Sequence, residues 1–372
     1  MISKSKQQME SKFKISSDLS SKILTIGPDY HNHRGGIEAV IEIYSKYFEN
    51  FKFIATYKEG SVIYKSLIFF FSIFYFLKKI IFDRKIELIH IHGASYGSFV
   101  RKFICFLIAK YLFKKKIIYH IHGGEFHLFY LQGNLTKKKI ISIFINNADC
   151  IICLSSRWMS FIKINFNPKK IEIIPNIIDF PSFSTIEKND SRLTFLFLGL
   201  IGNRKGIFDL INVIANNKHL YSDKIKLVIG GNGEVERLKN LIKDLQIEGL
   251  VEFVGWIAKE QKNNWLQKSD VYILPSYNEG LPISILEAMS YGQAIISTNV
   301  GGIPEVVLPG KNGIIIEPGN YNEIENAINF FIQYPEKIEI YGKESIKIAK
   351  KHLPDQVINE LTIIYKYVLG DE

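Results

Sequence analysis

Glu279 and Glu287 stand eight positions apart in "PSYNEGLPISILEAMSYG", residues 275–292. The first lies in a Gly-Pro turn and the second inside a helical pattern. Taken alone, the pair reads as a turn residue and a solvated helix residue with no chemistry, well ahead of an acid and base. The apolar run "DVYILPS" ahead of them reads as a strand, and Pro282 falls near the first position of the next helix, where its missing N–H costs nothing. The turn then presents a helix N-terminus, whose free N–H groups and positive dipole end suit a diphosphate. Carboxylates repel phosphates, so both glutamates are placed to accept hydrogen bonds from hydroxyls. A sugar nucleotide carries hydroxyls on both sides of its diphosphate, which matches two acidic residues in two settings.

A second cluster is "FLGLIGNRKGIFDLI", residues 197–211: a strand, a glycine-containing loop and a helix start. Cations there, Lys205 and Arg204, would stabilise charge developing on a diphosphate leaving group. In "GPDYHNHRGGIEAVI", Gly35 and Gly36 come to a helix start without the G-x-G-x-x-G spacing, so a dehydrogenase reading loses its main support. His31, His33 and Arg34 beside them are either acceptor contacts or a solvated polar loop. "YHIHGGEF" puts His120 and His122 on one face of a strand, with Glu125 just after it. His90 and His92 form a similar pair. A His-x-His can ligate zinc, but no third ligand with suitable spacing is evident, so no metal is expected and His90, His92 and His120 read as hydrogen-bonded core histidines. The chain contains no D-x-D to hold a divalent ion on a diphosphate.

The elements that position these residues follow a repeated pattern. "KILTIG", "KFIAT", "ELIHIHG", "KIIYHIHGG" and "DCIICLS" are continuous runs of β-formers separated by helix-length segments, as in a parallel sheet covered on both faces. After a polar, Pro- and Ser-containing stretch at 179–191 the pattern restarts with "LTFLFLG", "IKLVIGG", "VEFVG", "DVYILPS", "QAIIST" and "GIIIEP". The expected fold is α/β, with two doubly wound Rossmann-like domains facing across a cleft: 1–183, joined by a C-terminal helix at 354–372, and 192–353, with 184–191 as linker. Ligands in such sheets sit outside the carboxyl ends of the strands, where all the residues above lie.

The run "LPSYNEGLPISILEAMSYGQAIISTNVGGIPE", residues 274–305, closely resembles the signature of the retaining glycosyltransferases of family 4, of the two-Rossmann (GT-B) type. Pro275, Ser276, Glu279, Gly280, Pro282, Glu287, Gly301, Gly302 and Glu305 are all in pattern. The resemblance is strong over the C-terminal half and looser over the N-terminal half. It implies a metal-independent hexosyltransferase that moves a sugar, with retention, from a nucleoside-diphosphate sugar to a glycan or polyprenyl-linked acceptor, as in bacterial surface polysaccharide biosynthesis. UDP- or GDP-sugars are expected ahead of ADP-sugars, and no cofactor is implied. The catalytic roles it implies fall on Glu279, near the transferred sugar, on His122 and on Lys205. The donor site it implies comprises Arg204, Gly280, Leu281, Pro282, Ile283 and Glu287, the last on the ribose hydroxyls, with Gly35 and Gly36 approaching the diphosphate. His31, Arg34 and Glu125 are the acceptor candidates. One departure is Leu200, which stands where the family often has an arginine, and Arg204 is the candidate to replace it. With no second carboxylate evident as a nucleophile, front-face displacement is favoured, the departing phosphate helping to deprotonate the acceptor. The alternatives are a donor-binding but inactive partner of another transferase, made thinkable by Leu200, and a sugar-nucleotide epimerase on the same fold.

At 372 residues the chain suits two domains. Its net charge of +10 is uneven: residues 1–180 hold 27 Lys and Arg against 13 Asp and Glu, and the remainder hold 20 against 24. The basic half fits anionic lipid or phosphorylated substrate. No nucleic-acid motif accompanies it, so nucleic acid is not an expected partner. "SLIFFFSIFYFLKKIIF", residues 66–82, is too short to span a bilayer before Lys78 and Lys79; it reads as a buried helix, or as a helix whose apolar side touches a membrane. Met1 to Ser21 lacks the apolar core of a signal peptide, so a cytoplasmic protein is expected, with peripheral contact at the inner face of the plasma membrane through its basic half. "CIIC", residues 150–153, lies in a strand-like run and is not expected to be a redox pair.

Overall fold

The computed structural model describes residues 14–31, 35–184 and 190–371. The chain divides into two compact units, Met1–Ile178 with Leu353–Glu372, and Asp179–His352. Residues 179–183, which the sequence assigns to the first domain, belong to the second unit. Tyr291 Oη there accepts from Ser182 N and donates to Ser182 O, and Ser184 N donates to Gln267. Most of the sequence-read linker, 185–189, lies outside the described residues, as do Arg34 and His33.

The first unit contains a six-stranded parallel sheet in the order β2-β1-β3-β4-β5-β6. The strands are β1 (Ile23–Gly27), β2 (Lys52–Ala55), β3 (Leu88–Gly93), β4 (Lys116–Ile121), β5 (Cys150–Cys153) and β6 (Ile171–Ile173). β1, β3 and β5 are buried along their whole length, which explains their unbroken apolarity. β6 escapes the sequence pattern because it is a three-residue edge strand carrying Glu172. Cys105, Cys150 and Cys153 are free and buried, and burial pushes each thiol up to about 12, so none is a ready nucleophile.

Helices α1 (Gly36–Lys46), α2 (Val62–Phe82), α3 (Tyr96–Leu107), α4 (Phe126–Leu131), α5 (Leu135–Asn147) and α6 (Ser156–Asn165) cross between the strands. Phe76 of α2, Phe106 of α3, Phe126 of α4 and Phe144 of α5 share one core with Ile89 and Tyr119 of the sheet. α2 is not the buried helix its composition suggests. Only Ser72, Phe76 and Ile80 are fully buried in its 21 residues.

The second unit repeats the plan in the order β12-β11-β10-β7-β8-β9, again all parallel. Its strands are β7 (Leu193–Leu198), β8 (Ile225–Gly230), β9 (Val251–Gly255), β10 (Val271–Leu274), β11 (Ala294–Thr298) and β12 (Gly313–Ile316). β7 and β10 are neighbours although far apart in sequence, and the strand order reverses between them. That is the topological switch point, the place where ligands of open α/β sheets bind outside the carboxyl ends of the strands. α7 (Ile207–Asn216) follows the loop after β7, and α8 (Ile283–Ser290) follows the turn after β10. The last helix, α9 (Pro354–Leu369), returns to the first unit. There its Tyr365 Oη meets His90 Nδ1 at 2.6 Å, and Asp371 pairs with Lys22 at 2.7 Å.

Candidate functional site

The loops after β7 and β10 meet, and they bring Lys205 to Glu279. Lys205 Nζ lies 2.5 Å from Glu279 Oε1, and Ser276 Oγ donates to the same oxygen at 2.8 Å. The side chains are 14% and 8% exposed, so this ion pair is largely removed from water. Desolvated charges persist only when paired and hydrogen-bonded, and here the carboxylate has both a cation and a hydroxyl donor.

Backbone constraints hold the pair in place. Tyr277 N donates to Arg204 O at 2.9 Å, and Arg204 Nη1 donates to Asn278 O at 3.1 Å, so the two loops are laced together at the residue before Lys205. Gly206, at φ +69°, closes the β7 loop, and a Cβ there would sit 2.0 Å from Pro275 O. Gly301, at φ +55°, is pressed against the turn from the β11 side, and a Cβ would come 2.1 Å from Glu279 O. Gly302 N donates to Gly280 O at 2.6 Å, and Thr298 Oγ1 to Ser276 O at 2.6 Å. Only glycine takes these left-handed conformations at such close approach, so the glycines of the signature fix where Glu279 stands.

Pro282 is the N-cap of α8 rather than its first residue, with φ −66°, and Ile283 opens the helix. Gly280, Leu281, Pro282 and Ile283 are buried. Glu287, in the second turn, pairs with Lys262 at 2.5 Å. Lys262 is absent from the sequence-read candidates because "KEQKNNWLQK" looks like a solvated helix face. Leu200 is exposed and Arg204 half-buried, its guanidinium turned to Asn278 O.

In the first unit, Gly35 is the N-cap of α1 with φ −136°, a conformation open to any residue. A Cβ there would meet only the flexible Glu38 carboxylate. His31 is exposed and its Nδ1 lies 2.8 Å from Asp29 Oδ1. Glu125 caps α4 without a side-chain cap hydrogen bond.

His122, after β4, lies with its Nε2 2.9 Å from His92 Nδ1. β3 and β4 pair in register at His92 and His120, so the two His-x-His pairs form one group on one sheet face. A third histidine therefore does stand near each pair, contrary to the spacing argument. One ring nitrogen each from His90, His92 and His120 lie within 4.8 Å of one another. The rings are layered, His90 and His120 being parallel at 5.6 Å and His120 and His122 stacked at 4.1 Å.

Desolvation holds all four histidines neutral, with His90 and His122 down to about 3 and His92 and His120 well below their ordinary range. Each would take a proton near pH 6.5 once unfolded. Stability is therefore complete above that pH and is lost as pH falls from 6.5 toward 3. The expected loss is about 1.4 kcal/mol for each fully buried histidine between pH 7.5 and 5.5. Thermal unfolding at these two pH values should show a clear drop, and His120→Phe should reduce it. An unchanged midpoint would refute the buried neutral group.

Known proteins match this chain over both units. Residues 181–348 match the family profile described as glycosyl transferases group 1, and residues 44–180 match that of glycosyltransferase family 4. An uncharacterized glycosyltransferase of Methanocaldococcus jannaschii is 28% identical, covering 88% of this chain and 94% of its own. The UDP-Gal:alpha-D-GlcNAc-diphosphoundecaprenol alpha-1,3-galactosyltransferase of Escherichia coli is 26% identical, covering 81% and 76%. Among solved structures, HepE of Anabaena in complex with UDP-glucose superposes with a TM-score of 0.71 at 18% identity, over 94% of this chain and 99% of that one. With two profiles in tandem across residues 44–348 and a fold shared over nearly its whole length, the chain belongs to the two-domain GT-B glycosyltransferases of family 4.

Proposed function

We propose that the chain transfers a hexose, with retention and without a metal, from a nucleoside-diphosphate sugar to a glycan or polyprenyl-diphosphate-linked acceptor in surface polysaccharide biosynthesis. The observation that carries this is the Lys205–Glu279 pair, set by glycine-clamped loops at the switch point between β7 and β10. In this reading Glu279 holds the hydroxyls of the transferred sugar. Lys205, with the N-terminus of α8, neutralises the diphosphate as its bond to the sugar breaks. Arg204 adds charge at the rim in place of an arginine at Leu200, and Glu287 accepts from the ribose. Lys262 then orients Glu287 from the neighbouring helix. Gly35 and Gly36 serve the donor diphosphate. His31, Arg34 and Glu125 serve the acceptor, with His122 a neutral hydrogen-bonding group near the sugar.

The donor base is read as uridine, because HepE was solved with UDP-glucose and the Escherichia coli relative is named for UDP-Gal. The latter's name also gives a diphosphoundecaprenol acceptor, which supports a lipid-linked acceptor and work at the inner face of the plasma membrane. A thermal-shift screen of UDP-, GDP- and ADP-sugars tests the reading. Ligand at 100 times its Kd stabilises by about 2.7 kcal/mol, a shift of a few degrees in a protein of this size. A rise with UDP-sugars is the expected result, and no response to any nucleotide sugar would contradict it.

A further inference from the structure

α2 is apolar on both sides, and the core of the first unit uses only one. Phe76 and Ile80 enter the core. On the opposite side Ile63, Leu67, Phe70, Phe71, Phe74 and Ile81 recur at helical spacing and are all exposed, Phe70, Phe71 and Phe74 by 62–69%. A contiguous apolar stripe along a helix about 30 Å long exceeds what a soluble protein leaves in water without a partner.

The helix itself carries charge of one sign, with the exposed Glu59 just before it and Asp83, paired with Lys52, at its C-terminal end. α2 carries Lys65, Lys78 and Lys79 and no acidic residue, and α3, α4 and α5, packed in the same core, carry none either. Among the described residues no helix is long and apolar enough to cross a membrane, and Lys78 and Lys79 interrupt α2. A helix with exposed aromatics on one line and the exposed Lys78 beside them suits the plane of a lipid interface, the rings in the headgroup–acyl boundary and the ammonium group among phosphates. A second copy of this face would bring lysines against lysines, which disfavours self-association.

We propose that the outer face of α2 docks the chain on an anionic lipid surface, with Phe70, Phe71 and Phe74 inserted and Lys78 and Lys79 at the headgroups. This deepens the proposed function, since a lipid-linked acceptor is held at the same surface, but it rests on residues remote in sequence from the donor motifs.

The test is flotation of the full chain with vesicles of phosphatidylcholine, alone or mixed with phosphatidylglycerol. Binding to the mixed vesicles at low salt, weakening as salt rises, is expected. Phe70→Ser/Phe71→Ser/Phe74→Ser should lower partition at least about tenfold while leaving stabilisation by a nucleotide sugar unchanged. If that variant fails to fold, Lys78→Glu/Lys79→Glu decides, and it too should weaken binding to mixed vesicles. Absence of binding at low salt, equal binding by a folded variant, or a dimer that the serine variant dissolves without any vesicle binding would overturn the proposal. Vesicle binding without any response to nucleotide sugars would support the docking surface and count against sugar transfer alone.

Discussion

Alanine at Glu279 is expected to lower the rate of sugar transfer by about 100-fold or more while part of nucleotide binding survives, the scale on which one well-placed active-site group acts. The expectation follows from placement. Glu279 sits between Ser276 Oγ and Lys205 Nζ, and its backbone is locked by the approach of Gly301. Nothing in the arrangement requires it to exchange a proton. Its remaining lone pairs suit sugar hydroxyls, so its loss should misplace the sugar more than it weakens the nucleotide. Turnover by nucleotide release and binding by thermal shift separate the two effects. Near-normal turnover in Glu279→Ala would refute the role.

Lys205→Ala is expected to be at least as damaging, about 100- to 1,000-fold in turnover, because under the proposed function Lys205 is the cation that neutralises the leaving group. It should also cost stability. Removing one partner of a largely buried ion pair strands the other, and a loss of roughly 3 kcal/mol is expected from an uncompensated Glu279 carboxylate. The double variant Lys205→Met/Glu279→Gln distinguishes the two effects, since stability should largely return and turnover should not. If the double variant recovered turnover, or Lys205→Ala left it intact, the leaving-group role would be wrong.

Much of this candidate site is legible in the amino-acid sequence. Glu279, Lys205 and the glycines around them stand in one signature and one strand–loop–helix pattern, and parallel strands buried on both faces spell themselves as continuous apolar runs. What stayed hidden depends on distance in the chain. Lys262 meets Glu287 across 25 positions, and nothing in its helix distinguishes it from a solvated lysine. The histidines read as two unrelated pairs because their grouping needs the register of β3 on β4. For α2 the sequence left two readings open, a buried helix or one with its apolar side on a membrane, because apolarity all round a helix fits either; the structure puts one side in a core and leaves the other exposed.

The most direct measurement is nucleoside diphosphate release from a UDP-sugar with and without a lipid extract, with mass analysis of the lipid product. Release that requires the extract, a product heavier by one hexose, and loss of both in Glu279→Ala are the predicted results. Tight donor binding with no acceptor-dependent release, or conversion of the donor to its epimer with nothing transferred, would contradict glycosyl transfer by this chain.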